Sequence, residues 1–231
     1  MGTLKKIVIL HGWTYSLDKW SKFTDLLGKD GFEVYLPKIP GLTQDSNESW
    51  NLYKYTNWLN KLLEKYQDKV ILLGHSNGGR IAINFAVKYP CKLEKLILID
   101  SAGIFHNELP IRLKRIVFKN VANVGKKFTK SEILRKVLYK FAREGDYESA
   151  SENIKKTIAD LVNTDLRPIL KDIKTPTQII WGENDQITPL KDAYLINKLI
   201  KGSKLDIIKN ARHSPFYTDS EEVVKIIKND I

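Results

Sequence analysis

Short apolar runs recur along this chain, separated by longer stretches in which apolar residues return every three or four positions. The runs occupy residues 6–11, 32–37, 69–74, 95–100, 177–182 and 205–209. A strand buried on both faces needs continuous apolar character, whereas a strand with one wet face alternates. Helical spacing between such runs predicts the crossovers of a parallel sheet. Between the first two runs, residues 17–29 place Trp20, Phe23, Leu26 and Leu27 on one helical face. Residues 50–66 do the same with Leu52, Tyr55, Leu59, Leu62 and Leu63, and residues 77–89 predict a helix that stops before Pro90. Residues 194–200 and 221–227 supply the last two helices. The expected fold class is α/β, with about six strands in a mostly parallel sheet and helices on both faces.

Between Asp100 and Thr177 the alternation breaks, and three helical patterns follow one another with no strand-like run. Leu109, Leu113, Ile116, Val117, Val121 and Val124 form one stripe. Thr129 and Glu132 have capping-box spacing ahead of a second stripe running from Ile133 to Phe141. Ser149 and Glu152 repeat that spacing ahead of Ile154, Ile158, Leu161 and Val162. The expected organisation is a core formed by residues 1–103 and 172–231, with a helical insertion at 104–171. No internal repeat or low-complexity tract interrupts it.

Charge and composition narrow the class without naming a function. The 231 residues are 42% hydrophobic and 28% charged, the balance of an ordinary globular protein rather than a disordered or membrane-embedded one. The formal net charge is +11, and the insertion carries 15 Lys and Arg against 8 Asp and Glu, so +7 of that excess lies there. The lysines are scattered, without a basic-aromatic groove, which predicts a solvated surface and no nucleic-acid partner. A basic amphipathic helix can lie on a membrane, but a stripe of this kind more commonly packs on the domain beneath, so stable membrane insertion is not expected. The apolar run after Lys5 and Lys6 is too short for a secretion signal, and the one cysteine, Cys91, leaves no internal disulfide. The expected compartment is the cytoplasm.

Chemistry concentrates where the third run ends, in Gly74-His75-Ser76-Asn77-Gly78. Small residues on both sides of Ser76 permit a strained strand-to-helix turn that pushes the hydroxyl into the open. A neutral hydroxyl is a poor nucleophile and needs a base, which in turn needs an orienting acid. Of the four histidines, His75 points toward the sheet side of the turn and His106 falls in the insertion, where solvation is the expected role. His213 follows the last run, and loops after the C-terminal ends of parallel strands share one edge of the sheet, the edge that carries Ser76. His213 is therefore the candidate base. Asp185 and Asp100 both follow strands ending at that edge, and Glu183 is a third candidate acid.

Together the His11-Gly12-Trp13 turn, the elbow at 74–79, the loop 182–185 and His213 resemble an α/β-hydrolase of the esterase-like group, over nearly the whole chain. The order Ser, Asp, His is that family's, with 28 residues from Asp185 to His213. The resemblance implies a triad of Ser76, His213 and Asp185. It also implies an oxyanion hole from the backbone N–H groups of Trp13 and Asn77, each donor of this kind being worth about 3–4 kcal/mol. By the same resemblance the insertion is a cap over Ser76, and His11 has a structural role beneath the site. The implied activity is cleavage of a small to medium carboxylic ester or lactone through an acyl-enzyme, without metal or cofactor. Thioesterase, amidase or acylated-signal lactonase chemistry on the same triad is the alternative, as is a ligand-binding or signalling protein of this fold with slow turnover. A serine rather than aspartate at position 76 argues against dehalogenase or epoxide hydrolase chemistry. Relatives usually carry two further strands ahead of the first run, so the edge near 32–37 is expected to be open, or used in a homodimer.

Overall fold

The computed structural model describes residues 4–14, 16–43, 46–106 and 151–231. Within them one sheet forms from β1 (Lys5–Leu10), β2 (Phe32–Tyr35), β3 (Val70–His75), β4 (Leu93–Ile99), β5 (Thr177–Gly182) and β6 (Lys204–Ile208). The strand order is β2-β1-β3-β4-β5-β6, and every adjacent pair is parallel. All six apolar runs therefore become strands, and β2 lies at an edge as expected.

Side chains of a strand alternate between faces, and the continuous apolar runs use both. Val8, Leu10, Leu72, Leu98, Ile179 and Trp181 face one core. Their neighbours Ile7, Ile9, Ile71, Leu73, Ile99 and Ile180 face the other. The first core is covered by α2 (Leu52–Leu63), α3 (Asn77–Lys88) and α6 (Leu190–Leu199), through residues such as Tyr55, Leu59, Ile81, Phe85 and Ile196. The second is covered by α1 (Ser21–Lys29), the short α7 (Pro215–Thr218) and α8 (Ser220–Lys228), through Phe23, Leu27, Phe216 and Val223.

From the expected insertion, α4 (Glu152–Asn163) and the short α5 (Arg167–Leu170) are described, whereas the stripes expected at 109–124 and 129–141 lie outside the described residues. The N-cap of α4 is Ser151, whose hydroxyl accepts the Ile154 N–H, rather than the expected Ser149, which lies outside the described residues. Because Ser151 directly precedes the first helical residue, Glu152 takes the first position of the helix and cannot close a capping box. Leu161, Leu166 and Leu170 are buried in the same core as Leu10 and Ile81. Thr157 accepts the Trp50 N–H at 2.7 Å, and the buried Arg80 of α3 donates to the Thr164 carbonyl at the end of α4. No helix among the described residues is long and apolar enough to cross a membrane.

Because Leu161 is fully buried where α4 meets this core, Leu161→Ala should lower the unfolding free energy by about 3 kcal/mol. Urea denaturation measures this, and a loss below about 1 kcal/mol would mean that the site collapses without a cavity.

Candidate active site

The chain turns from β3 into α3 at Ser76, which adopts φ 52° and ψ −123°. A side-chain-bearing residue rarely takes this left-handed conformation, and surrounding bonds must hold it there. The Ser76 N–H donates to the Ile99 carbonyl at 3.3 Å, and the Ser76 carbonyl accepts the N–H groups of Ala102 at 2.9 Å and Gly79 at 3.0 Å. Gly78 lets the first turn of α3 press against the β1 backbone, since any Cβ there would collide with the Leu10 carbonyl. Gly12 lies against the same serine: a Cβ on it would sit 2.9 Å from Ser76 Cβ and 3.3 Å from Oγ. The half-buried Trp13 and the first residue of α3, Asn77, are therefore chain neighbours of two residues that touch.

At the same sheet edge, the loops after β5 and β6 pack together. Gly182 carries no side chain because one would strike the Arg212 carbonyl. The Asn184 N–H donates to the Ala211 carbonyl at 2.8 Å. This joins the carboxylate of Asp185 to the ring of His213, with Oδ2 2.7 Å from Nδ1. Asp185 Oδ1 accepts the N–H groups of Ile187 at 2.7 Å and Thr188 at 3.1 Å, while Oδ2 also accepts the Thr188 hydroxyl at 2.6 Å. Burial opposes the charge on Asp185, but the bond from His213, that residue's charge, and the Thr188 and Ile187 donors outweigh it. The carboxyl is held below the ordinary carboxylate range. An ionised acid at Nδ1 fixes the tautomer of a neutral imidazole, with the proton on Nδ1 and the lone pair on Nε2, which is the form a general base requires.

His75 links the two halves. Burial, and then the neighbouring His213 ring, push its imidazole down to about 3, so it is neutral. Its Nε2 donates to the His213 carbonyl at 2.7 Å. The residue before the candidate nucleophile thus grips the backbone of the candidate base. Phe216 meets the His75 ring edge-on at 4.8 Å and stacks on Trp20 at 3.6 Å, which closes the space beneath. His11 bonds the Gly12 carbonyl through Nδ1 and Thr43 through Nε2, tying the β1 loop to the next turn as the sequence led us to expect.

The remaining sequence candidates sit elsewhere in this network. Asp100 is buried behind the pair, with Oδ1 accepting the Gly182 N–H at 2.8 Å. Glu183 is exposed and accepts the Asn210 N–H at 2.9 Å, supporting a turn in which Asn210 has φ 60°. His106, expected in solvent, is half-buried, with Nε2 2.8 Å from Asp192 Oδ2, because its segment folds back onto α6. His75, Asp100 and His213 bring donor atoms within 4.8 Å of one another. His75 Nε2 and His213 Nδ1 are already spent on the His213 carbonyl and Asp185, so the cluster is organised as a hydrogen-bond network. Sequence reasoning missed Thr188 and the grip of His75. An aspartate followed three residues later by threonine is an Asx-turn signal that would have marked Thr188, whereas nothing local predicts the His75 contact.

Thr188→Val removes a hydrogen bond to a buried charge and should cost about 2 kcal/mol of stability at pH 7. The folded Asp185 carboxyl lies below its unfolded value, so its bonds stabilise the fold above the unfolded carboxylate range and fade as pH falls through the folded value. The deficit of the variant, followed by denaturation across pH, should therefore shrink on acidification. A deficit independent of pH would dissociate Thr188 from the carboxylate.

The chain matches a family model described as the alpha/beta hydrolase fold over residues 5–144. It is 30% identical to a pimeloyl-[acyl-carrier protein] methyl ester esterase from Wigglesworthia glossinidia brevipalpis, covering 96% of this chain and 92% of the relative. It is 25% identical to Lipase 3 of Moraxella sp. (strain TA144), over 99% of this chain and 76% of that one. Among solved structures, MenH from S. aureus superposes with a TM-score of 0.71 at 26% identity, covering 99% of this chain and 94% of MenH. With its parallel sheet, its elbow and its sheet-edge His–Asp pair, this chain belongs to the alpha/beta hydrolase fold family.

Proposed function

We propose that the protein is a serine hydrolase of carboxylic esters in which Ser76 attacks the carbonyl, His213 is the general base and Asp185 orients it. The observation that carries this reading is the 2.7 Å bond between Asp185 and His213, and it is supported by the bond from His75, the chain neighbour of the strained Ser76, to the His213 carbonyl. Attack by Oγ forms a tetrahedral oxyanion, stabilised by the Trp13 and Asn77 N–H groups. His213 takes the serine proton and returns it to the departing alcohol. Water deprotonated by His213 then cleaves the acyl-enzyme and regenerates Ser76. No metal or cofactor enters these steps.

The relatives named for cleaving a pimeloyl methyl ester favour an acyl chain esterified to a small alcohol as the substrate class. Residues 104–171 act as the cap over the site, and α4 and α5 are its return path to the core. One exposed cysteine and no membrane-length apolar helix among the described residues support a cytoplasmic enzyme. The β2 edge, unpaired by another strand among the described residues, is available for a homodimer.

Purified protein should hydrolyse p-nitrophenyl butyrate, and Ser76→Ala should reduce turnover by at least roughly a thousandfold. Asp185→Asn should retain the fold and lose roughly ten-thousandfold in kcat. Undiminished turnover in the Ser76→Ala variant would overturn the assignment.

A further inference from the structure

Asp100 occupies the end of β4 with φ 41°, a conformation that aspartate seldom adopts, and its carboxyl is buried. Two bonds hold the strain in place. The Asp100 N–H donates to the Ile180 carbonyl at 3.1 Å, and Oδ1 accepts the Gly182 N–H at 2.8 Å. Oδ2 is buried and has no hydrogen-bond partner, a costly state for a charged oxygen. Its neighbour is the carboxyl of Asp185, itself an acceptor: an Asp100 carboxyl oxygen lies within 4.8 Å of a His213 ring nitrogen, and His213 Nδ1 is 2.7 Å from Asp185 Oδ2.

Two buried carboxylates that share one imidazole cannot both ionise cheaply, so one must carry a proton. The bonding pattern says which. Asp185 receives two backbone N–H groups, a hydroxyl and the His213 ring, all donors that an ionised carboxylate satisfies. Asp100 receives one N–H and leaves an oxygen orphaned, and a proton on that oxygen converts a repulsive contact into a hydrogen bond. We propose that Asp100 is a positioning residue whose protonated carboxyl donates to Asp185, so that Asp185 remains the single anion facing His213. This inference rests on the triad reading given above. Burial first, then the charge of Asp185, push the Asp100 carboxyl up to about 8, in agreement with the geometry.

The groups facing Asp100 are Asp185 of the β5 loop, His213 of the β6 loop and neutral His75 of β3. Asp192 of α6, paired with His106, is the next charge and acts on Asp185. Without its donor, Asp185 would hold the imidazolium proton more tightly, and proton return to the leaving alcohol would become harder.

The first test needs no catalysis. A folded carboxyl that stays protonated where the unfolded one ionises makes stability fall as pH rises between those values. Relative to Asp100→Asn, the wild-type unfolding constant should therefore rise by up to about tenfold per pH unit between about pH 4 and 8. A ratio flat across that range would show Asp100 ionised and overturn the proposal. This readout stands even if Ser76→Ala proves the triad reading wrong, so the two failures are distinguishable. The second test is the acid limb of kcat/KM against pH. Asp100→Asn, which keeps a donor and no charge, should leave the limb in place, and Asp100→Leu should move it upward. Movement of both limbs downward would mean that a negative charge had been removed, and would refute the neutral donor.

Discussion

The structure depends on one close approach, the first turn of α3 pressed against the end of β1. Gly78 contacts the Leu10 carbonyl, a distance that no side chain would permit, and Ser76 bends to φ 52° to make it. Residues in that region of φ/ψ space cost roughly 1–3 kcal/mol each. The bonds to Ile99, Ala102 and Gly79, with two apolar cores packed on the sheet, offset it. The strain therefore persists because the sheet over-determines the turn.

Topology explains why the approach occurs where it does. The chain leaves β1 toward β2 on one side and returns to β3 on the other, so the loops after β1 and β3 part in opposite directions. Open α/β sheets place their sites at such a switch point, and here the Gly12 loop and the Ser76 turn meet at it. The loops after β5 and β6 reach the same edge and lock together through Gly182 and Asn184. Chemistry-bearing residues from four distant parts of the chain thus come to one edge of the sheet.

The electrostatics are organised by burial as much as by contact. His75 is kept neutral so that it can donate to the His213 backbone, and Asp185 is kept charged by donors that outweigh its desolvation. Asp100 goes the opposite way from Asp185 although both are buried aspartates at the same edge, because one is supplied with donors and the other is not. Like side chains acquire unlike charge states from their hydrogen-bond supply.

Much of this was legible in the residues. Continuous apolar runs specify doubly buried strands whatever their neighbours, so all six strands could be read from local pattern, as could α1, α2, α3, α4, α6 and α8 among the described helices. The elbow was legible because small residues around a serine serve a local backbone need, and the sheet-edge rule then selected His213. Which acid meets His213 was not legible in local pattern, where Asp100, Glu183 and Asp185 are equivalent, and only the family resemblance singled out Asp185. Only the docking of the β5 and β6 loops gives Asp185 the imidazole, turns Glu183 to the Asn210 N–H and buries Asp100 behind them. His106 likewise looked solvated until its segment folded back to Asp192. Periodicity and turn chemistry act over a few residues and are written in the chain itself. Hydrogen-bond supply to a buried carboxyl is set by residues far away in sequence, and only the tertiary structure decides it.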